Sequence, residues 1–250
     1  MKASKFIARS VCLLALTILP SCSYFNEKER SFTPLEHAHF TTKPALEQKL
    51  AEKGLNLGDP VLIRAFKSEM QMELWVRNET TGTYDLFQTY PICRASGTLG
   101  PKIKEGDRQA PEGFYTVAAN QLNPNSKYHL ALNIGYPNAY DRAHKRAGSA
   151  LMIHGDCVSA GCLAVTDNNI SEIYLMAEES LTKNPELPIP VHIFPFRMTE
   201  EKMSLRRYSE WYPFWKNLKQ GYDFFKTYHI PPQVTQEKKR YVFNTNGKYY

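Results

Sequence analysis

The stretch over residues 150–167 constrains the fold of this 250-residue chain more than any other. An apolar run at residues 151–153 predicts a buried strand, which ends at His154 and is followed by a glycine. Eight residues after this histidine, Cys162 follows another glycine. A helix is predicted directly afterwards, so a strand, a short glycine-containing loop and a helix are expected in immediate succession.

The histidine and the cysteine of this stretch form a candidate catalytic pair. A cysteine attacks a carbonyl carbon as the thiolate, and a nearby imidazole is the usual group that produces a thiolate near neutral pH. A tight loop can bring Cys162 back to His154. The pattern therefore predicts a cysteine–histidine acyl-transfer site.

Two other interpretations of the same residues stay open. A histidine at a strand end is more often a satisfied polar residue, and cysteine is among the most buried residue types. Zinc is the second alternative, because His154, Cys157 and Cys162 are all zinc-ligand types. Their H-x2-C-x4-C spacing lacks a fourth ligand and the paired C-x2-C pattern of structural sites, so we expect no bound metal.

Composition and charge exclude several classes of protein. Hydrophobic residues make up 42% of the chain and charged residues 22%, which is ordinary for a globular protein. The net charge is +6, and part of it comes from Lys2, Lys5 and Arg9. No acidic residue balances them, because the first one in the chain is Glu27. No basic stripe interleaved with aromatic residues is present, so no nucleic-acid partner is expected.

The N-terminus predicts export from the cytoplasm. The three basic residues precede an apolar core at residues 11–19, which has the length of a signal-peptide core and is too short to span a bilayer as a helix. Leu19-Pro-Ser-Cys22 resembles a bacterial lipobox, with cleavage after residue 21 and a lipid on Cys22; ordinary cleavage near Ser21 or Ser23 stays open. We expect a periplasmic protein, anchored to the outer membrane through Cys22 and otherwise not in contact with a membrane.

Export would leave three cysteines, each of which is either a free thiol or part of a disulfide. If Cys12 is removed with the signal peptide and Cys22 is acylated, then Cys93, Cys157 and Cys162 remain. Because three is odd, at least one thiol stays unpaired in an oxidising compartment. A Cys93–Cys157 disulfide would leave Cys162 free, a Cys157–Cys162 disulfide would block it, and all three thiols reduced is a third possibility.

Hydrophobic periodicity and turn signals predict a largely β region between residues 59 and 197. It follows a segment over 22–58, in which residues 23–42 are expected to be an irregular tether before a short helix at 44–53. Residues 198–250 are expected to be an aromatic-rich, helical C-terminal extension with one returning edge strand at 240–243. The other predicted elements are strands at 61–66, 70–77, 84–93, 114–117, 128–134 and 189–196, helices at 168–183 (with Asp167 as the N-cap), 199–210 and 213–228, and long polar loops at 94–112 and 135–148.

Three motifs in this region resemble the L,D-transpeptidase (YkuD-type) catalytic domain: Pro111-Glu-Gly-Phe-Tyr115, Ile153-His-Gly155 and Ser159-Ala-Gly-Cys162. The resemblance runs from about residue 59 to residue 196. It implies a mainly β fold with flanking helices (α+β), built as a curved mixed β-sheet or sandwich with a helix after the cysteine. It also implies no cofactor and a substrate drawn from peptidoglycan stem peptides.

The same resemblance implies roles for individual residues. Cys162 would be the nucleophile and His154 the proton donor and acceptor. The carbonyl of Gly155 would orient the imidazole, and the N–H of Gly161 would stabilise the oxyanion. Substrate-binding roles are expected for the Tyr136, Asp141 and Arg142 side chains of the second long loop and for Ser159, because exposed loops are where binding residues gather.

The chain departs from the commonest family pattern at two positions. Most members read Ser-His-Gly-Cys followed shortly by Arg, whereas this chain has Ala160 and Ala164 at these places. Together with Gly135-Tyr-Pro-Asn-Ala-Tyr-Asp-Arg142 and the Phe- and Trp-rich extension, these features resemble the YafK-like branch, in which a relative hydrolyses the bond joining an outer-membrane lipoprotein to peptidoglycan. Acyl transfer, hydrolysis that releases such a lipoprotein, and an inactive peptidoglycan-binding module therefore stay open.

Overall fold

The computed structural model describes residues 32–244. The predicted signal peptide over residues 1–21, the predicted lipid site Cys22 and the first part of the tether lie outside the described residues. Within residues 32–244, no helix combines the length and the apolar character that crossing a membrane requires.

A helical segment covers one side of the domain at its N-terminal end. It consists of α1 (Pro34–His37), a π-helical turn (Ala38–Thr42) and α2 (Lys43–Ala51). The side chain of Thr33 begins it with a capping box to Glu36. The prediction of an irregular tether up to residue 42 is therefore wrong for its last nine residues. Ala38, Leu46 and Leu50 are fully buried, so tertiary packing stabilises a segment that has no clear local periodicity.

Twelve strands form three sheets within the described residues. In chain order they are β1 (Val61–Phe66), β2 (Gln71–Arg77), β3 (Tyr84–Pro91), β4 (Arg94–Ala95), β5 (Gly113–Val117), β6 (Leu122–Asn123), β7 (Ala131–Asn133), β8 (Met152–His154), β9 (Leu163–Ala164), β10 (Ile189–Phe194), β11 (Gln233–Glu237) and β12 (Arg240–Asn244). The predicted meander over residues 61–93 is confirmed by the antiparallel pairs β1–β2 and β2–β3.

The two larger sheets enclose the core and a helix. The first has the order β3–β2–β1–β10–β5, in which only β1 and β10 are parallel. The second has the order β4–β9–β8–β7–β6, in which β8 and β9 are parallel. Helix α4 (Asp167–Lys183) contacts β1 of the first sheet and β7 and β8 of the second. The predicted α+β fold, with a helix after the cysteine, is confirmed.

The C-terminal extension is only partly helical. It contains α5 (Glu200–Ser204) and α6 (Tyr212–Tyr228), and then β11 and β12 pair with each other as a separate two-stranded sheet. The prediction of one returning edge strand is corrected, because Lys238 and Lys239 both have positive φ and close a tight hairpin. Phe114 of β5 packs edge-on against Tyr241 and Phe243 of this hairpin, with ring centroids 5.1 and 5.2 Å apart.

Candidate active site

The pairing of β8 with β9 brings His154 and Cys162 to one face of the second sheet. The strands are parallel, with Ile153 opposite Leu163 and His154 opposite Ala164. Successive side chains along a strand point to opposite faces of the sheet. Ile153 and Leu163 therefore point into the core, and His154 lies on the other face. Cys162, the residue directly before β9, lies on the same face as His154. Diagonal neighbours on paired strands are about 7–8 Å apart, and within the described residues no hydrogen bond joins the imidazole of His154 to the thiol of Cys162.

A backbone contact fixes the orientation of the His154 ring. Its Nδ1 lies 2.6 Å from the carbonyl oxygen of Gly155, and its face stacks on Tyr128 with ring centroids 4.5 Å apart. A carbonyl can only accept, so Nδ1 carries the hydrogen and Nε2 of the neutral ring keeps its lone pair. Burial lowers the pKa of His154, against the opposing effects of the Gly155 carbonyl and the charge of Asp156. The imidazole is therefore a neutral base at pH 7.

Gly155 is required at its position because the space around it is filled. A Cβ atom there would lie 2.4 Å from Oδ1 of Asp167 and 3.0 Å from the carbonyl oxygen of Tyr128. The Asp167 carboxylate accepts a hydrogen bond from the N–H of Asp156 at 2.8 Å. This bond stabilises the loop that follows Gly155. Asp167 is thus not the N-cap that we predicted; that position belongs to Thr166, whose side chain accepts from the N–H of Asn169.

A disulfide settles the state of the three cysteines. Cys93 and Cys157 are bonded to each other, and Cys162 is the free cysteine of the described residues. Of the three possibilities left open by the sequence, the structure therefore has the one that leaves Cys162 available. The zinc alternative is contradicted, because Cys157 is not a free thiolate.

The thiol of Cys162 is neutral in the resting site. Its Sγ lies 3.8 Å from the carbonyl oxygen of Ala150. Burial raises the pKa of the thiol, whereas the backbone N–H of Met152 and the charge of Lys102 act in the opposite direction. Lys102 is itself buried, and its ammonium lies 2.5 Å from Oδ1 of Asp107. A neutral thiol and a neutral imidazole on the same sheet face are thus the resting arrangement.

The loop before Cys162 is braced by its own hydrogen bonds. The N–H of Gly161 donates to Oγ of Ser159 at 3.2 Å, and this hydroxyl donates to the carbonyl oxygen of Cys162 at 2.8 Å. The N–H of Gly161 is therefore occupied, and the geometry does not support its predicted oxyanion role in this conformation. The hydroxyl of Ser159 supports the loop and also lies 3.2 Å from Oγ of Ser96, so its substrate-binding role stays a prediction.

Two of the predicted substrate-binding residues lie inside the protein. The hydroxyl of Tyr136 donates to the carbonyl oxygen of Lys102 at 3.1 Å. Asp141 forms an ion pair with Arg146 at 3.0 Å and accepts a hydrogen bond from the hydroxyl of Tyr115 at 3.0 Å. Tyr136 and Asp141 are only 6% and 1% exposed and are engaged by protein partners, so their predicted substrate-binding roles stay predictions that this arrangement does not support.

Arg142 remains exposed on the same loop. The segment predicted as irregular over residues 135–148 contains α3 (Ala139–Ala143), which the side chain of Asn138 caps. The guanidinium of Arg142 points away from the core and donates to the carbonyl oxygen of Pro137. Its predicted role in substrate binding stays a prediction.

The sequence interpretation did not identify Glu112 as a support of this site. It is fully buried and accepts hydrogen bonds from Nζ of Lys67 at 2.9 Å, the N–H of Gly100 at 2.6 Å and Nε1 of Trp215 at 2.8 Å. These bonds connect the first sheet, the loop beside Cys162 and α6 of the extension. The sequence did contain a signal for this role, because Glu112 lies between Pro111 and an apolar strand. A carboxylate in such a position is buried only when it has hydrogen-bond or ion-pair partners.

Residues 60–193 match a family model, YkuD, described as the L,D-transpeptidase catalytic domain. This match covers more than half of the chain. The chain belongs to the L,D-transpeptidase (YkuD) family.

Individual relatives agree with this family assignment. The chain is 42% identical over 234 residues to a protein of Escherichia coli (strain K12) named as a candidate L,D-transpeptidase, YafK, covering 94% of this chain and 90% of that protein. The YafK protein of Escherichia coli O157:H7 gives the same figures. Among solved structures, the helical cell shape determining protein Pgp2 from Campylobacter jejuni has a TM-score of 0.45 and 16% identity, covering 80% of this chain and 84% of that one.

The disulfide of this L,D-transpeptidase family member makes a testable contribution to stability. Reduction, or the substitution Cys93→Ser, should lower the free energy of unfolding by about 4 kcal/mol, because the bond closes a loop with a sequence separation of 64. Urea unfolding of the oxidised and reduced protein measures the difference. Cys162→Ser, which leaves the disulfide intact, is the matched control and should change stability little. Equal stability of the oxidised and reduced forms would contradict the prediction.

Proposed function

We propose that this protein is a cysteine acyl-transferase that acts on diaminopimelate-containing peptidoglycan stem peptides through a thioester on Cys162. One observation carries the proposal. The free thiol of the described residues lies on the same sheet face as an imidazole whose Nδ1 is held by the Gly155 carbonyl. That arrangement leaves Nε2 of His154 as the only ring atom able to take the proton from sulfur.

The proposed reaction has two halves. First, the hydrogen on Sγ moves to Nε2, the thiolate attacks the carbonyl carbon at the L-centre of diaminopimelate, and the C–N bond breaks. The proton on Nε2 passes to the departing amine, which leaves a thioester and a neutral imidazole. In the second half, His154 takes a proton from the incoming nucleophile, which attacks the thioester; the C–S bond breaks, and the proton on Nε2 returns to the departing sulfur of Cys162.

The incoming nucleophile decides between two activities. An amine of a second stem peptide or of a wall-linked outer-membrane lipoprotein gives transfer, whereas water gives hydrolysis. The family assignment and the name of the YafK relative support transfer. The alternative is a hydrolase that releases lipoprotein from peptidoglycan; Ala160 and Ala164, where most family members have His and Arg, favour it by altering the site around the thiol.

We also propose that the protein works in the periplasm and is held at the outer membrane by a lipid on Cys22. The signal-like residues 1–21 and the lipobox-like Leu19-Pro-Ser-Cys22 support this location. Labelling of cells with a radioactive fatty acid should mark the protein. The label should persist in a Cys12→Ser variant and disappear in Cys22→Ser; a label unaffected by Cys22→Ser would contradict the anchor.

The catalytic pair predicts the effect of substitutions and of pH on activity. Cys162→Ala should abolish turnover, and His154→Gln should lower kcat by about 10²–10⁴-fold, the contribution of a general base. Because burial lowers the pKa of His154, kcat/KM should fall only when pH drops below about 6.5, where the imidazole becomes protonated. Mass analysis of muropeptides from sacculi treated with purified enzyme at several pH values measures these effects.

The same mass analysis of muropeptides separates the competing functions. Additional cross-links or protein-linked stem peptides mean transfer, and fewer protein-linked stem peptides mean hydrolysis. Circular dichroism should show that Cys162→Ala remains folded, which makes its loss of activity a chemical effect. A folded Cys162→Ala protein that retains the full cellular effect would mean an inactive peptidoglycan-binding module and would contradict the proposal.

A further inference from the structure

Two adjoining cavities lie along β5, and the smaller one also borders Pro190 and His192 of the neighbouring β10. Their volumes are about 250 and 350 Å³, and both are lined by Phe114, Thr116 and Asn138. The smaller cavity continues to Pro232 before the C-terminal hairpin, and the larger one continues to Arg142. We refer to the two together as the β5 groove. One end is thus apolar and aromatic, and the other end carries a positive charge.

β5 is the last strand of the first sheet, so half of its backbone groups point away from β10. The N–H of Phe114 donates to the hydroxyl of Tyr241 at 3.4 Å, and the carbonyl oxygen of Phe114 accepts from the side-chain amide of Asn138 at 2.9 Å. Both bonds point away from β10. Because strand backbone directions repeat every second residue, the N–H and C=O of Thr116 point the same way. Opposite Thr116 is Pro190, which has no N–H to offer.

These two backbone groups of Thr116 are available to a ligand. Thr116 is exposed, and within residues 32–244 no hydrogen bond outside the strand ladder engages its N–H or C=O. Its carbonyl oxygen faces Gly135, where a Cβ atom would lie 3.5 Å away. On β5 the outward groups of Phe114 are taken by Tyr241 and Asn138, so the pair on Thr116 is the part of this edge that can bind an extended peptide by β-strand addition.

The charge at the polar end points to an acidic ligand. Arg142 donates to the carbonyl oxygen of Pro137, and the carboxylate next to it in the chain, Asp141, is occupied by Arg146 at 3.0 Å. In the part of the chain that the structure describes, no carboxylate forms an ion pair with Arg142. A guanidinium of this kind prefers a carboxylate, which it can bind through two N–H groups.

The β5 groove lies within reach of the thiol. Asn133 of β7 pairs with Met152 of β8, and the N–H of Met152 is directed at the sulfur of Cys162. Each strand-to-strand step is about 4.8 Å, so the end of β7 lies roughly 10 Å from Cys162. Ile134, the next residue after β7, lines the larger cavity. An extended peptide of four residues covers about 13 Å, which bridges this separation.

We propose that the β5 groove binds an extended, carboxylate-bearing segment of a stem peptide, pairing with the backbone of Thr116 and placing the carboxylate on Arg142. The inference rests on the proposed function, because it takes its ligand class from that reaction. It adds a recognition site on β5 to the Cys162–His154 site on β8 and β9. The groove would hold the part of the substrate that does not react.

Binding in a chemically inactive background tests this proposal. The probes are a synthetic diaminopimelate-containing stem tetrapeptide and the same peptide with its carboxylates converted to carboxamides, titrated by calorimetry into Cys162→Ala protein. Arg142→Gln should weaken binding of the acidic peptide about tenfold, and the carboxamide peptide should bind both proteins equally weakly. Lys145→Asn is the charge control, since Lys145 does not line the groove and its positive φ suits asparagine.

The strand edge is tested by a second pair of variants. Thr116→Pro removes the outward N–H without removing a bond to β10, whereas Thr116→Val keeps this N–H. Thr116→Pro should weaken binding about tenfold, a step of the size expected for one lost main-chain hydrogen bond to a ligand, and Thr116→Val should not. Equal affinities for Arg142→Gln, Thr116→Pro and the Cys162→Ala parent would overturn the proposal.

The β5 groove proposal and the proposed function can fail separately. If the wild-type enzyme turns over stem peptides with a KM that Arg142→Gln and Thr116→Pro leave unchanged, the β5 groove proposal is wrong and the proposed function stands. If the groove variants weaken binding but the wild-type protein performs neither transfer nor hydrolysis, the groove is a binding site and the proposed function is wrong.

Discussion

The hydrogen bond from Nδ1 of His154 to the carbonyl oxygen of Gly155 is the interaction on which the site depends. It determines which ring nitrogen carries the hydrogen, and therefore which one can act on a thiol. The carbonyl is itself held, because the N–H of Gly155 donates to the carbonyl oxygen of Tyr128 at 3.1 Å and Asp167 leaves no space for a larger residue. Two residues further on, the disulfide at Cys157 fixes the turn. The base is positioned almost entirely by backbone.

The C-terminal extension is physically continuous with this site. Glu112 joins Trp215 of the extension to Gly100, in the loop that precedes Lys102, and Lys102 is the cation that acts on the thiol. The hairpin of the extension covers Phe114 and encloses one end of the β5 groove. Residues beyond the family match therefore shape both the surroundings of the nucleophile and the proposed surface for the rest of the substrate.

The sequence predicts the elements and the reacting pair better than it predicts the supporting residues. The strand at residues 61–66 has the predicted limits, because an apolar run that only Arg64 interrupts, lying between turn signals, specifies a central strand. His154 and Cys162 were identifiable because their chemistry is rare and their spacing fits a loop between neighbouring strands. The burial of Tyr136 and Asp141 was not predicted, because a polar loop does not reveal which side chains turn inward and the partners of Asp141 are set by tertiary folding.

Nitrogen NMR of ¹⁵N-histidine-labelled protein tests the central claim most directly. The signals of His154, one of seven histidines, are assigned by their loss in a His154→Gln variant. We expect a neutral ring at pH 7 with the hydrogen on Nδ1 and a free Nε2, and conversion to imidazolium only as pH falls below about 6.5, since burial lowers the pKa. A ring with its hydrogen on Nε2, or an imidazolium at pH 7, would contradict the account.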